Sequence, residues 1–217
     1  MNANYDVFSE ITRYRVIPVI AIESAEAALS LADALAQGGL PVAEITFRTD
    51  AAAETISLLK KERPELILGA GTVLTLENLL RAKDCGASFA VAPGTNPEIV
   101  RKANEIGLPF VPGVATASEI EQALSLGCRI QKFFPSEASG GVAMIKALSA
   151  PYAHTGVRFV PTGGITVANL ADYLSLPTVA AVGGTWIATK EDISAGRWQE
   201  ITRRCEEACR VVRSLAR

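Results

Sequence analysis

The chain has 217 residues, 49% of them hydrophobic and only 6% aromatic, which is enough small and branched apolar material for one sizeable core. Its net charge of −2 offers no basic footprint for nucleic acid, and no uninterrupted apolar run approaches the roughly 18 residues of a membrane span. The single histidine, His154 in the loop-like stretch PYAHTG, excludes any metal site built on a histidine cluster, and four cysteines without a paired C-x-x-C arrangement read as ordinary reduced thiols.

The first residues, MNANYDVFSEITRYR, mix acidic, basic and polar side chains without a signal-peptide core, so a soluble cytoplasmic protein is expected. Residues 4–14 predict a short leading helix, with Val7, Phe8 and Ile11 at helical spacing. VIPVIAI, 16–22, is a buried-strand run, and Ser24 is a good N-cap for the helix EAALSLADALAQ, which stops at Gly38 and Gly39. The pattern of strand, cap, helix and glycine then repeats. Strands are expected at 42–47, 66–71, 88–93 and 109–113, with helices over AAAETISLLKKE, 75–85, 97–106 and 117–126. The sixth strand is RIQKFFP, 129–135, with a helix at 142–148. The seventh is VRFVPTGG, 157–164, with a helix at 167–174. The eighth is TVAAVGG, 178–184, with helical material from Trp198 onward.

Eight strands, each followed by a helix, predict parallel pairing and close most economically as an α/β fold of the (β/α)8 TIM-barrel type. A doubly wound open sheet is the alternative architecture. No linker or composition shift divides the chain, so residues 1–217 are expected to form a single domain with a short N-terminal helix.

Catalytic groups of such barrels sit at the carboxyl ends of the strands. In the sixth strand, alternation puts Ile130, Lys132 and Phe134 on one face and Arg129, Gln131 and Phe133 on the other. Lys132 therefore has apolar neighbours. Burial disfavours the charged form of a lysine, and a neutral amine is what attacks a ketone to form an imine. A lysine snorkelling to solvent from a strand end is the bland reading of the same heptapeptide. In the second strand, Glu44, Thr46 and Arg48 share one parity and the apolar Ala43, Ile45 and Phe47 the other, which turns the polar set toward the barrel axis. A structural Glu44–Arg48 pair is an alternative to a functional one. GAGT ends the third strand, and its Thr72 offers a hydroxyl. Glycine pairs at 163–164 and 183–184 lie where the loops after strands seven and eight form a phosphate site in barrels.

PVI in the first strand, EITFRT at 44–49, GAGTV at 69–73, APG at 92–94, KFFPSE at 132–137, PTGGI at 161–165 and GGTW at 183–186 together resemble the family of 2-keto-3-deoxy-6-phosphogluconate (KDPG) and 4-hydroxy-2-oxoglutarate (KHG) aldolases. The resemblance spans residues 15–210. It implies a cofactor-free, metal-free class I aldolase acting on a keto-acid phosphate, assembled as a homotrimer. By the same resemblance Lys132 forms the Schiff base, Glu44 is the general acid/base, and Arg48 and Thr72 hold the pyruvate carboxylate. Pro93 and Phe134 wall the site, and Thr162, Gly163, Gly164, Gly183, Gly184 and Thr185 line the distal phosphate end. Two positions depart from the family pattern: Thr185, where serine is common, and Gln131, where an apolar residue is common. Two other classes compete with this reading. A metal-independent sugar-phosphate isomerase or epimerase barrel keeps the phosphate loops but does not need a neutral Lys132. A non-catalytic phospho-ligand barrel has little reason to gather Glu44, Arg48, Thr72 and Lys132 at neighbouring strand ends.

Overall fold

The computed structural model describes residues 4–215, with side-chain surroundings from residue 7 onward. A leading helix α1 (Asn4–Tyr14) is followed by β1 (Val16–Ile20), α2 (Ala28–Gln37), β2 (Val42–Thr46), α3 (Ala51–Glu62), β3 (Ile67–Gly71), α4 (Leu76–Asp84), β4 (Phe89–Val91) and α5 (Pro97–Glu105). Then come β5 (Phe110–Val111), β6 (Gly113–Val114), α6 (Ala117–Ser125), β7 (Ile130–Phe133), α7 (Gly141–Ser149), β8 (Arg158–Pro161), α8 (Val167–Leu174), β9 (Val182–Gly184), α9 (Lys190–Ser194) and α10 (Trp198–Leu215). Among the described residues no helix is long and apolar enough to cross a membrane.

All strand pairs are parallel, in the orders β5-β4-β3-β2-β1-β9 and β6-β7-β8. The bridges Phe159↔Val179 and Thr162↔Gly183 join β8 to the β9 segment and close the TIM-type barrel. The expected fifth strand is two short pieces separated at Pro112. Proline has no N–H to give the ladder. Its carbonyl still accepts from Lys132 N (2.8 Å), so the stave transfers its pairing there from β4 to β7. The helix expected directly after Ser24 is likewise modified: the Ser24 hydroxyl accepts from Glu26 N (3.2 Å) and caps a 3-10 turn at Ala25–Ala27, after which α2 begins.

The strand parity expected from the sequence holds. Ala43 and Ile45 of β2 and Phe133 of β7 lie in the strand–helix layer with the apolar faces of the helices. Ile17, Val42, Phe89, Val91, Val111, Val160 and Ala181 fill the barrel interior, and Phe8 and Ile11 of α1 pack onto this cluster. The barrel floor is therefore apolar and plugged by the leading helix. Gln131 also turns outward, where it is buried and its amide donates to Cys128 O (2.9 Å) and Ile120 O (3.4 Å). The cysteines are unpaired, and burial pushes the Cys205 thiol up to about 12 where α10 crosses Gly38. His154 is exposed in the 3-10 segment before β8, as its loop context suggested.

The loop after β9 is held by an ion cluster. Buried Asp192 accepts from the Thr189 hydroxyl (2.6 Å), from Arg197 Nε (2.6 Å) and from Arg204, whose guanidinium also donates to Trp186 O (3.0 Å). The Thr189 hydrogen bond, followed by those from Arg204 and Arg197, holds the Asp192 carboxyl down at about 2 against the opposing effect of burial. Because the folded-state value is depressed, this stabilisation is complete above the ordinary value of 3.8 and is lost as pH falls through about 2. Asp192→Asn is expected to cost roughly 2 kcal/mol at neutral pH, with the deficit shrinking between about pH 4 and 2. Urea denaturation of both proteins across that range checks the size and the sign.

Candidate active site

Two strands on different sides of the barrel deliver the central pair. Glu44 lies in the middle of β2, in register with Val19 and Gly69, and Lys132 lies in β7, in register with Gly113 and Val160. Both side chains point to the axis, where Lys132 Nζ donates to Glu44 Oε1 at 3.2 Å. The residues are only 5% and 3% exposed, so water does little to screen the pair. Phe134 stands above, its ring centroid 5.5 Å from Lys132 Nζ. Below lie Ile17, Phe89, Val91, Val111, Ile130 and Val160.

Glycine makes the space. A Cβ on Gly71 would come within 2.3 Å of Glu44 Oε1, and one on Gly113 within 2.1 Å of the Pro93 carbonyl carbon. Immediately beyond Gly71, Thr72 has a positive φ of 57°, a left-handed conformation that costs a threonine on the order of 1 kcal/mol. That strained residue is half-buried at the barrel mouth.

Arg48 does not pair with Glu44. Its Nε donates to Thr46 Oγ1 (3.3 Å), and Thr46 Oγ1 in turn donates to Ile20 O (3.0 Å). Among the described residues Arg48 has no ion-pair partner, and it borders a cleft of about 500 Å³ shared with Glu23, Phe47, Thr49, Asp50, Asn78 and Arg81. The structural Glu44–Arg48 pair considered from the sequence is thus replaced by Glu44–Lys132, which leaves the Arg48 guanidinium at the mouth without a carboxylate partner among the described residues. A planar fork of donors suits a carboxylate.

The glycine-rich ends lie side by side. Thr162 bridges to Gly183, Gly163 and Gly164 have φ of 100° and 80°, and Thr185 is exposed. Close packing also requires these glycines: a Cβ on Gly183 would sit 2.3 Å from Thr162 Oγ1, and one on Gly184 2.0 Å from the Trp186 ring. The Asp192–Arg204 cluster that steadies Trp186 was not anticipated from the sequence, because its members are spread over two helices. Nor was the buried Tyr173, which falls at an apolar helix position and reads as core.

The fold and site together define an α/β protein of the parallel TIM-barrel class with a buried amine–carboxylate pair across its axis. The family model described as KDPG and KHG aldolase matches residues 7–204, and the chain belongs to that family. The 2-dehydro-3-deoxy-phosphogluconate aldolase of Haemophilus influenzae is 46% identical over 207 residues, covering 95% of this chain and 97% of that protein. The KHG/KDPG aldolase of Escherichia coli K12 is 41% identical over 200 residues, covering 92% and 93%. The crystal structure of KDPG aldolase from Legionella pneumophila, with pyruvate captured at low pH as a covalent carbinolamine intermediate, superimposes with a TM-score of 0.88 at 40% identity, covering 96% of this chain and 98% of that one.

The central pair has an energetic signature. Removing one partner of a buried ion pair leaves an uncompensated charge, whereas replacing both with apolar groups is often nearly neutral. Lys132→Met is expected to destabilise the fold by about 3 kcal/mol, and Lys132→Met/Glu44→Leu to lie within about 1 kcal/mol of the parent. Denaturant titration of the parent, both single variants and the double variant gives the coupling. Additive losses would show that the two charges do not support each other.

Proposed function

We propose that this chain is a class I aldolase that cleaves 2-dehydro-3-deoxy-6-phosphogluconate to pyruvate and glyceraldehyde 3-phosphate. We extend the proposal to 4-hydroxy-2-oxoglutarate, which gives pyruvate and glyoxylate. The observation that carries it is the buried Lys132–Glu44 contact at 3.2 Å, an amine and a proton carrier isolated from solvent. Membership of the aldolase family supports it, as does the pyruvate carbinolamine of the Legionella relative.

The chemistry follows from these groups. Lys132 loses a proton, for which the Glu44 carboxylate is the adjacent acceptor, and its nitrogen adds to the substrate ketone at C2. Glu44 returns that proton to the carbinolamine hydroxyl, which departs as water to leave the protonated imine and the carboxylate restored. A base removes the C4 hydroxyl proton, the C3–C4 bond breaks, and its electron pair flows into the imine to form an enamine while the aldehyde departs. Protonation at C3 gives the pyruvate imine, and water releases pyruvate and restores the amine. We assign both the C4 deprotonation and the C3 protonation to Glu44. Arg48 and Thr72 hold the carboxylate, with Pro93 and Phe134 as walls. Thr162, Gly163, Gly164, Gly183, Gly184 and Thr185 form the distal phosphate end.

A single barrel domain, a homotrimer and a cytoplasmic setting belong to the same proposal. Leu74 and Leu80, 54% and 42% exposed beside and on α4, are apolar surface that a partner copy would cover. Four unpaired cysteines suit a reducing compartment.

Borohydride added with pyruvate is expected to inactivate the enzyme and leave a reduced pyruvate adduct on Lys132, located by peptide mass mapping. An active preparation with Lys132 unlabelled would falsify the Schiff-base reading. Glu44→Gln separates the proton carrier from a structural partner. Cleavage turnover and solvent exchange of the pyruvate methyl hydrogens are both expected to fall by roughly 10² to 10⁴ per folded molecule, while Lys132 remains trappable on long incubation. Proton NMR of the methyl exchange, read beside a melting curve, decides the point: normal exchange in the folded fraction removes Glu44 from acid/base chemistry.

A further inference from the structure

Tyr173, on α8, is fully buried, and its hydroxyl serves two residues of the loop that follows the lysine strand. Ser136 Oγ donates to Tyr173 OH at 2.9 Å, and Tyr173 OH donates to Glu137 Oε1. The same two loop residues grip the glycine turn after β8 through their backbones: Ser136 N donates to Thr162 O (2.8 Å) and Glu137 N to Gly163 O (3.0 Å). The phenol thus braces one loop, and that loop braces the next.

The packing admits this arrangement only because glycines surround it. Gly141 has φ of 57°, and a Cβ there would lie 3.0 Å from Glu137 Oε1 and 3.1 Å from Tyr173 OH. A Cβ on Gly164 would lie 2.6 Å from Glu137 Cβ. Burial, reinforced by the hydrogen bond to Glu137, pushes the Tyr173 phenol up to about 12, so it remains a donor at neutral pH.

We propose that Tyr173 is a positioning residue that sets specificity for the distal phosphate, by locking Ser136 and Glu137 against the Thr162–Gly164 turn. The inference rests on the phosphate-end assignment made above. Tyr173 acts on that end selectively because the lysine strand is held by backbone ladder bonds on both sides, including Thr162 N to Phe133 O (3.0 Å), none of which needs the phenol. Lys132 N donates to Pro112 O (2.8 Å) and Phe134 N to Val114 O (3.2 Å), ladder bonds that do not involve α8. Loosening the phenol therefore frees the glycine turn, whose N–H groups must be aimed at an anion, before it disturbs the imine.

The test compares 2-dehydro-3-deoxy-6-phosphogluconate with 2-dehydro-3-deoxygluconate, which differs only by the phosphate. Tyr173→Phe and Glu137→Ala are each expected to raise KM for the phosphorylated substrate about tenfold, with kcat on both substrates and kcat/KM on the unphosphorylated one held within about twofold. Glu137→Gln keeps the acceptor oxygen and is expected to keep the parental KM. A role confined to core stability predicts something else: a lower melting temperature with an unchanged KM ratio, or equal losses on both substrates. Either result overturns the proposal. Glu137→Ala, at an exposed position, decides the matter if Tyr173→Phe fails to fold. A parent enzyme that shows no KM advantage for the phosphorylated substrate overturns the phosphate-end assignment itself, and with it this inference, a result read before any variant is made.

Discussion

The structure depends on a lysine and a glutamate that share a barrel axis with almost no exposure to solvent. Taking two such charges out of solvent costs several kcal/mol per ion, and a single contact at 3.2 Å offsets that only if the surroundings keep both groups in place. The surroundings do so by subtraction. Gly71 leaves the volume that Glu44 occupies, and Gly113 lets β6 close on Pro93 so that β7 can take its register with Lys132 inward. Among the described residues, the floor beneath, sealed by Phe8 and Ile11, supplies no other charged group for either ion. Each ion is therefore committed to the other. A pair held this way is a poor source of stability, because the two burial costs largely cancel the attraction, yet neither charge can be removed alone without stranding the other.

Much of this was legible because strand alternation is a strong constraint. With a period of 2, placing Ala43 and Ile45 against helices obliges Glu44 and Thr46 to face the axis, and placing Phe133 outward obliges Lys132 inward. Eight strand–helix units then put the two parities on one closed surface. The resemblance in EITFRT and KFFPSE pointed to the same residues by a separate route. The partner of Glu44 was less accessible. Parity says that Glu44, Arg48 and Lys132 all turn inward, but only the closed barrel shows which cation reaches the carboxylate, and that depends on their heights along the axis. Lys132 lies at the level of Glu44, while Arg48 lies beyond the end of β2 and meets Thr46 instead.

Other features were hidden for different physical reasons. The split of the fifth stave at Pro112 is a local rule that the apolar run PFVPG obscured, because hydrophobicity does not report a missing N–H. Tyr173 sits at an apolar helical position, where its ring packs like any core aromatic and only its terminal oxygen is informative. Asp192 of α9, Arg197 in the following turn and Arg204 of α10 look like ordinary surface charges until α9 and α10 are brought together over the β9 loop. None of these depends on periodicity, and each depends on a contact between segments distant in sequence or on a single atom.

These hidden contacts have a common placement. The groups assigned to chemistry project from strands, where ladder hydrogen bonds fix them: Glu44 from β2 and Lys132 from β7. The groups that hold the mouth project from helices, with Tyr173 on α8 bracing the turn at Thr162–Gly164 and Arg204 on α10 bracing the loop at Trp186. Strand registers cannot shift by one residue without turning every side chain over, so the amine–carboxylate pair is rigid in an all-or-none sense. A loop held by two or three side-chain hydrogen bonds can instead be retuned one bond at a time, each worth about 1 kcal/mol and so a few-fold in binding. On the assignments proposed above, the architecture separates bond cleavage, which tolerates little displacement, from recognition of the substrate's far end, which can be adjusted without touching the axis.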